Sequence, residues 1–210
     1  MPRPVLLVLA GVNGAGKSSI GGHLLERQRL TWFNPDTFAR ELAAASGCDQ
    51  ATADAHAWTE SVRRLDEALA GGHSHAFETT LGGHTVAARI AAATQTHDVM
   101  MWFCSLSSPD LHVARVGARV ASGGHDIPEG RIRERYPRAQ QNLVALMPRL
   151  AHLQVYDNSA EVDVGSPIPD PVLVLDMQDG RLAWPAPDDG EALRRTPDWA
   201  KPLMEAALIG

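Results

Sequence analysis

The sequence has 210 residues, with 19 Lys and Arg against 25 Asp and Glu and a formal net charge of -6. Because non-specific nucleic-acid binding usually rests on a broad basic face, this balance disfavours a DNA- or RNA-binding protein. The two cysteines, Cys48 and Cys104, form no CxxC unit and the histidines are scattered, so we expect neither disulfides nor structural zinc, as in a reducing compartment. The length allows one sizeable core, and we expect a single domain over residues 1–210.

The first predicted element is a buried parallel strand over Val5 to Ala10, a continuous apolar run that is followed by a glycine. A membrane-spanning helix needs about 20 apolar residues, and a signal peptide needs a longer apolar core than this run provides. We therefore expect a cytoplasmic protein without a membrane partner.

The glycine-rich segment GVNGAGKS follows this strand and satisfies the full G-x-x-x-x-G-K-[ST] pattern. In such a loop, backbone N–H groups and the positive end of a helix dipole hold the phosphates of a nucleotide. Lys17 is predicted to reach the β- and γ-phosphates, and the Ser18 hydroxyl to hold Mg²⁺. The alternative is a plain glycine turn with an exposed lysine. The predicted ATP contacts in the loop are Gly11, Asn13, Gly14, Ala15, Gly16, Lys17, Ser18 and Ser19.

A second short run, Leu30 to Phe33, predicts a strand that is followed by Asp36 in the segment NPDTFARE. In an open parallel sheet this edge is where ligands bind. A carboxylate there can orient an acceptor hydroxyl and take its proton as the bond to phosphorus forms. The alternative is that Asp36 caps the next helix, with Asn34 and Pro35 forming the turn.

The next two elements are a helix and a strand. Trp58, Val62, Leu65 and Leu69 have helical spacing, and Gly71 lies where the helix should stop. The run His75 to Thr79 predicts the third strand, whose end carries polar residues. Glu78 is expected to hold substrate hydroxyls or a Mg²⁺-bound water, and Thr79 and Thr80 to contact the substrate, with a Gly-Gly pair allowing close backbone approach. An ordinary polar turn is the alternative.

The fourth predicted strand, Val99 to Leu106, is not followed by an immediate carboxylate, since the first acid is Asp110. Magnesium would then depend on Ser18, the phosphates and the carboxylates of the neighbouring strands. Ser108 and Pro109 have the pattern of a helix N-cap and first helical residue.

Arginines are concentrated around a glycine-bearing break, SGGHDIPEG, and this segment is predicted to be a lid over about residues 115–138. A planar guanidinium stabilises a phosphoryl group in flight and contributes about 10³ to 10⁵ in rate. The alternative is a solvated helix face whose charge is partly paired. The arginines of the segment are Arg115, Arg119, Arg131, Arg133 and Arg135, and the last three cannot all point the same way on one helix.

The remaining elements complete an α/β pattern. Ile132, Ala139, Leu143, Leu146 and Leu150 outline a helix that Pro137 should kink or end. Leu153 to Tyr156 predicts a strand, and the two apolar runs around Asp179-Gly180 predict a C-terminal β-hairpin over about residues 171–185. The alternation of strands and helices predicts a three-layer P-loop kinase-like fold with a parallel central sheet.

The segments GVNGAGKSS, NPDTFARE, FETTLGG and RVASGGHDIPEGRIRERYPRAQQNL, with the later YDNS, resemble the zeta-toxin family of P-loop kinases, and more closely its short bacterial branch known as predicted ABC-type ATPases. The likeness runs over about residues 4–160. It implies that ATP phosphorylates the 3′-hydroxyl of the sugar in UDP-N-acetylglucosamine, and that a small antitoxin blocks the nucleotide site.

The resemblance also implies roles for individual residues. Lys17 matches the loop lysine, Asp36 the catalytic base, and Glu78 and Thr80 the sugar-nucleotide contacts. The segment from Asp157 to Ser159, with Asn158 at its centre, falls where related kinases build part of the adenine site. Two arginines match a phosphate-clamping pair: Arg119 and one of Arg133 and Arg135, with Arg135 slightly favoured.

The leading hypothesis from the sequence is therefore an ATP-dependent kinase acting on a hydroxyl of a UDP-sugar. A kinase of another metabolite, such as a nucleoside or an antibiotic, is the first alternative. A nucleotide-dependent switch that hydrolyses ATP without transferring phosphate is the second, because a phosphate-binding loop serves many functions. A transporter ATPase is disfavoured because the sequence contains no LSGGQ segment.

Overall fold

The computed structural model describes residues 2–17, 32–160 and 169–209. The strands are β1 (Val5–Ala10), β2 (His75–Thr79), β3 (Asp98–Ser105), β4 (His152–Asp157), β5 (Val172–Gln178) and β6 (Arg181–Trp184). They form one six-stranded sheet in the order β2-β1-β3-β4-β5-β6. β1 to β4 are parallel, whereas β5 and β6 extend the sheet as antiparallel strands.

Helices connect the parallel strands, as parallel pairing requires. The α-helices of the described residues are α1 (Pro35–Ser46), α2 (Gln50–Gly71), α3 (His84–Ala93), α4 (Pro109–Ala121), α5 (Glu129–Leu146), α6 (Gly190–Arg194) and α7 (Lys201–Ile209). Single 3₁₀ turns lie at Met147–Arg149 and Asp198–Ala200. Within the described ranges no helix combines the length and the apolar character needed to cross a membrane.

Strand β1 lies in the middle of the parallel part and is buried on both faces. Leu6 and Val8 pack into the main core, whereas Leu7 and Leu9 pack with Trp102 in a smaller cluster. Successive side chains of a strand point to opposite faces, so these two clusters lie on the two sides of the sheet. The protein is a three-layer α/β structure with a mostly parallel central sheet, as predicted.

Most of the predicted strands agree with the structure. The first and third predicted strands have the same bounds as β1 and β2. The C-terminal hairpin is also present, and its turn residues Asp179 and Gly180 have φ values of 49° and 72°. A two-residue hairpin turn of this kind needs left-handed backbone at both positions. The prediction at Leu30 to Phe33 lies partly outside the described residues, but Phe33 forms an isolated parallel bridge to Phe77.

Two helix predictions need correction in detail. The helix predicted from the Trp58 pattern is α2, but Trp58 itself is 55% exposed. The buried face of α2 is built mainly from small residues such as Ala53 and Ala57, which pack with Ala39 of α1 because small side chains let the two helices approach closely. Pro137 does not end a helix, since α5 runs through it, and the helix ends at Leu146, before the predicted position Leu150. Buried residues on both sides of the proline hold the helix together despite the one missing N–H donor.

Candidate active site

The glycine-rich loop leaves the carboxyl end of β1 and is pressed between two other elements. Gly14 and Gly16 have φ values of 85° and 86°, in the left-handed region. A Cβ at Gly14 would lie 2.7 Å from the His112 carbonyl oxygen, and a Cβ at Gly16 would clash with the side-chain amide of Asn158. Glycine satisfies both the backbone angle and the close approach at these positions. The loop thus has the left-handed, glycine-dependent shape that lets backbone N–H groups surround a phosphate.

His112, at the start of α4, fixes one side of the loop. Its Nδ1 lies 2.8 Å from the carbonyl oxygen of Asn13, and the backbone N–H of Leu106 donates to its Nε2 at 3.3 Å. A carbonyl can only accept and an N–H can only donate, so the ring is neutral with its proton on Nδ1. The side chain is fully buried, and this burial lowers the pKa of His112 to about 4. The neutral ring therefore ties the loop to the end of β3.

Asn158, at the end of β4, holds the other side of the loop. Its Nδ2 donates to the carbonyl oxygen of Ala15 at 2.9 Å, and the Cys104 thiol lies 3.1 Å from the same oxygen. The Asn158 side chain is buried behind the loop backbone rather than open to a nucleobase. The contact of Asn158 with ATP stays a prediction. In the structure, the Asn158 side chain supports the loop through its hydrogen bond to Ala15. Ser18 and Ser19 lie outside the described residues.

Lys17 and Glu78 form the charged centre of the site. Lys17 Nζ lies 3.3 Å from Glu78 Oε1, and both side chains are 7% exposed. The second carboxylate oxygen of Glu78 accepts a hydrogen bond from Asn34 Nδ2 at 2.8 Å. Burial raises the pKa of Glu78, the charge of Lys17 opposes that rise, and the Asp36 carboxylate adds to it. The end of β2 is thereby joined directly to the glycine-rich loop.

Asp36 lies in the first turn of α1, exposed to solvent, and does not cap that helix. The N-cap is Asn34, whose Oδ1 accepts from the backbone N–H of Thr37 at 3.1 Å, with Pro35 at the first helical position. The alternative in which Asp36 is the cap is therefore wrong, since the Asn34 side chain already accepts from the free N–H. Asp36 is close enough to raise the pKa of Glu78 and to oppose the lowering of the pKa of Arg135.

The two threonine hydroxyls in the turn after β2 accept hydrogen bonds from backbone N–H groups two residues later. Thr79 Oγ1 accepts from the backbone N–H of Leu81 at 3.1 Å, and Thr80 Oγ1 from that of Gly82 at 3.4 Å. Leu81 has a φ of 55°, an unfavourable angle for a residue with a branched side chain, and Asn142 donates to its carbonyl oxygen at 2.7 Å. Strained backbone of this kind persists where the surroundings hold it, often at functional sites. Both hydroxyls keep a proton that a substrate can accept.

The structure separates the arginines of the predicted lid. Arg135 is half-buried and donates from Nη1 to Asn13 Oδ1 at 2.8 Å. Burial, followed by the charge of Arg131, lowers its pKa. Arg133 instead forms exposed ion pairs with Asp110 and Glu129, at 2.6 and 2.7 Å. The sequence left the choice between Arg133 and Arg135 open, and Arg135 is the one that touches the glycine-rich loop.

The segment between α4 and α5 contacts both Arg119 and helix α2. Arg119 Nη2 donates to the His125 carbonyl oxygen at 2.9 Å, and the positive charge of Arg119 opposes the rise in the pKa of Glu78. His125 Nε2 lies 3.5 Å from Asp54 on α2. Residues 122–128 therefore contact α2 on the far side of the site, and Arg119 is held by the backbone of that segment.

The structure brings together Lys17, Asp36, Glu78 and Arg135, with Arg119 nearby. Two residues that hold these groups in place were not predicted as site residues, although Asn34 was expected in the turn before α1. Asn34 could have been recognised from the Asn-Pro pattern typical of a helix start. His112 carried no such signal, because nothing in its local sequence indicates that it meets the loop.

Comparisons with solved structures agree with this fold. A candidate kinase from Chloroflexus aurantiacus aligns with 20% identity and a TM-score of 0.53, covering 64% of this chain and 78% of that chain. A chain from the complex of AvrRxo1-ORF1 and AvrRxo1-ORF2 with ATP aligns with 15% identity and a TM-score of 0.65 over 94% of this chain, which spans 64% of that chain. The PezAT toxin–antitoxin system of Streptococcus pneumoniae aligns with 16% identity and a TM-score of 0.54, covering 84% and 72% of the two chains.

At these identities the likeness shows a P-loop kinase-like fold. No curated protein matches the sequence. A family model described as an AAA domain matches residues 6–142, which include the glycine-rich loop, Asp36, Glu78 and the lid arginines. This match covers more than half of the 210 residues, and the chain belongs to that AAA domain family of P-loop proteins.

Proposed function

We propose that this protein is a kinase that transfers the γ-phosphate of ATP to a hydroxyl of a small molecule, with a UDP-sugar such as UDP-N-acetylglucosamine as the first acceptor to test. The observation that carries the proposal is the meeting of Lys17, Glu78 and Asp36 at one sheet edge, with Arg135 closing the site from α5. Lys17 supplies positive charge for the phosphates, and the two carboxylates supply groups for an acceptor.

In the proposed step, the acceptor hydroxyl oxygen forms a bond to the γ-phosphorus while the bond from that phosphorus to the β–γ bridging oxygen breaks. The electron pair of the broken bond leaves with ADP, and the hydroxyl proton passes to the carboxylate of Asp36. Asp36 acts mainly by orienting the hydroxyl. Arg135 and Arg119 stabilise the charge on the equatorial oxygens of the transferred group.

Magnesium is proposed to arrive with the nucleotide and to be held by the phosphates and Ser18, as in other proteins with this loop. Asp36 and Glu78 are the carboxylates at the same edge. The segment from about 115 to 138 serves as the lid in this proposal, since Arg135 contacts the loop and His125 lies close to α2. Closure of such a lid excludes water, which favours transfer over hydrolysis.

Two of the similar structures support details of this proposal. One was determined with ATP, which favours ATP as the phosphate donor of this chain. Another is a toxin–antitoxin system, which together with the zeta-toxin resemblance makes a protein antitoxin a reasonable partner to seek. The presence of Asp36 on the acceptor side suits a kinase, because a carboxylate there can accept the proton of an acceptor hydroxyl.

The test is to incubate the purified protein with Mg-ATP and a panel of UDP-sugars, nucleosides and aminoglycosides, and to measure acceptor mass. We expect a gain of one phosphate on a UDP-sugar that is lost in Asp36→Asn and kept in Asp110→Asn. Asp110 is a suitable control because its exposed carboxylate pairs with Arg133. ATP hydrolysis at an equal rate in all three proteins, with no modified acceptor, would overturn the proposal.

A further inference from the structure

An open cleft of about 600 Å³ lies beside the candidate active site, between the Trp32–Asn34 segment and helices α1 and α2. Its apolar walls include Trp32, Phe33 and Phe38. Its polar lining includes Asn34, Glu41 and Arg64. A volume of this size is typical of sites for small ligands, which combine apolar walls with a few placed polar groups.

A short chain of polar contacts joins the cleft to the phosphate-binding lysine. Asn34 lines the cleft and donates to one oxygen of Glu78 at 2.8 Å. The other Glu78 oxygen lies 3.3 Å from Lys17 Nζ. Asn34 therefore links the cleft to Glu78 and, through Glu78, to Lys17.

Arg64 lies at the cleft wall in a position to bind an anion. Its guanidinium carbon lies 4.5 Å from the centre of the Phe33 ring, and its Nε donates to Glu60 at 2.6 Å. These two contacts fix the plane of the guanidinium. Its terminal Nη groups make no hydrogen bond to any residue that the structure describes, so they are available as a two-pronged donor. A guanidinium in this state binds phosphate or carboxylate with two parallel hydrogen bonds.

Arg64 pairs with Glu60 through Nε, and Glu60 also pairs with Arg63. Glu41 lines the same cleft, but across the described part of the chain it makes no ion pair with Arg64. The field of Arg64 also adds to burial in lowering the pKa of the nearby His75. The cleft thus combines the Arg64 guanidinium and the Asn34 side chain with aromatic rings in one lining.

We propose that this cleft is the acceptor site, and that the acceptor carries an anionic phosphate or carboxylate group that binds Arg64, a ring that packs on Phe33 and Phe38, and a hydroxyl at the Asn34 end. The inference rests on the proposed kinase function and narrows its substrate class. The step at the hydroxyl is the one described above, in which the oxygen gains the γ-phosphoryl group and ADP leaves. Neutral nucleosides and cationic aminoglycosides lack the group that Arg64 selects.

The chain offers a matched control for Arg64 in its neighbour Arg63. Arg63 bonds to the same Glu60 and also to Glu67, but it does not line the cleft. We would compare Arg64→Gln with Arg63→Gln after confirming equal thermal unfolding. Acceptor binding would be measured by calorimetry in the presence of the β,γ-imido analogue of ATP, and transfer by acceptor mass with ATP itself. The probes are UDP-N-acetylglucosamine and uridine 5′-monophosphate for phosphate, glucuronate for carboxylate, and uridine and glucose as neutral compounds.

We expect an anionic probe to bind, and Arg64→Gln to weaken its Kd and raise its KM by roughly 10- to 100-fold, as for loss of a charge-assisted hydrogen bond, with the KM for ATP within about twofold. Arg63→Gln should match the unaltered protein. Equal acceptor affinity in Arg64→Gln, or equally tight binding of neutral probes, would overturn the cleft assignment even if transfer occurs. Failure of every anionic probe to bind would overturn it as well. Arg64-dependent binding of an anionic probe without transfer would instead support the cleft and contradict the kinase function.

Discussion

The Nζ atom of Lys17 lies 3.3 Å from Oε1 of Glu78, and the two side chains are equally buried. Without a nucleotide, Glu78 is the counter-charge of the lysine that is expected to bind phosphate. Nucleotide phosphates would compete with Glu78 for Lys17. Their binding would leave one oxygen of the Glu78 carboxylate for the acceptor. The pair therefore couples the nucleotide site to the acceptor site.

We predict that Glu78→Gln destabilises the nucleotide-free protein by about 3 kcal/mol, because removal of one partner leaves a buried charge uncompensated. Mg-ATP should then stabilise this variant more than it stabilises the unaltered protein, since the phosphates restore a counter-charge to Lys17. Transfer should fall about 10²-fold. Thermal unfolding with and without Mg-ATP measures the first two effects. Glu67→Gln, which breaks only an exposed pair with Arg63, is the control. Equal ATP shifts in all three proteins would contradict the coupling.

His112 predicts a pH dependence of stability. Its pKa is about 4 in the folded protein against 6.5 for the free side chain. Between these values the unfolded state binds more protons, so this contribution to stability is full above about pH 6.5 and is lost as the pH falls towards 4. From pH 7 to pH 5 we expect the free energy of unfolding to fall by about 2 kcal/mol more than in His112→Gln. Denaturant unfolding at several pH values checks this, and parallel curves for the two proteins would disprove the role.

The two candidate arginines on α5 should differ strongly in function. Arg135→Ala removes the guanidinium beside Asn13, and we expect transfer to fall by about 10³-fold or more. Arg133→Ala removes exposed ion pairs, which contribute roughly 0 to 1 kcal/mol to stability, and transfer should change less than about threefold. Single-turnover rates with saturating Mg-ATP distinguish the two. A larger loss of transfer in Arg133→Ala than in Arg135→Ala would contradict the assignment of Arg135 as the arginine that clamps the phosphate.

The neighbouring glycines after β2 form a second matched pair. A Cβ on Gly82 would lie 2.6 Å from Arg135 Cγ and 3.1 Å from Arg135 Cα, whereas a Cβ on Gly83 would meet no described atom within 4 Å. Gly82→Ala should therefore push α5 and Arg135 away from the end of β2, with a loss of about 1 to 3 kcal/mol in stability and a marked loss of transfer. Gly83→Ala should change stability by less than about 1 kcal/mol. Thermal unfolding and transfer rates test both, and similar effects at the two positions would refute the close approach.

Much of the fold could be predicted because its signals are local. The apolar run of β1, the Ser108-Pro109 helix start and the Asp179-Gly180 turn each depend on residues within a few positions of one another. The loop motif was also complete within eight residues, GVNGAGKS, and the family match includes it. The buried face of α2 was predicted less well, because the packing of α1 against its alanines outweighs the apolar Trp58 pattern.

The sequence alone determined the phosphate-binding loop, the alternation of strands and helices and the candidate residues at the strand ends. Only the tertiary structure decided which of these residues meet. It showed that Glu78 pairs with Lys17, that Asn34 rather than Asp36 caps α1, that Arg135 rather than Arg133 touches the loop, and that His112 supports it. The reason is physical: backbone preferences act over a few residues, whereas strand order, helix rotation and burial depend on the whole packed core.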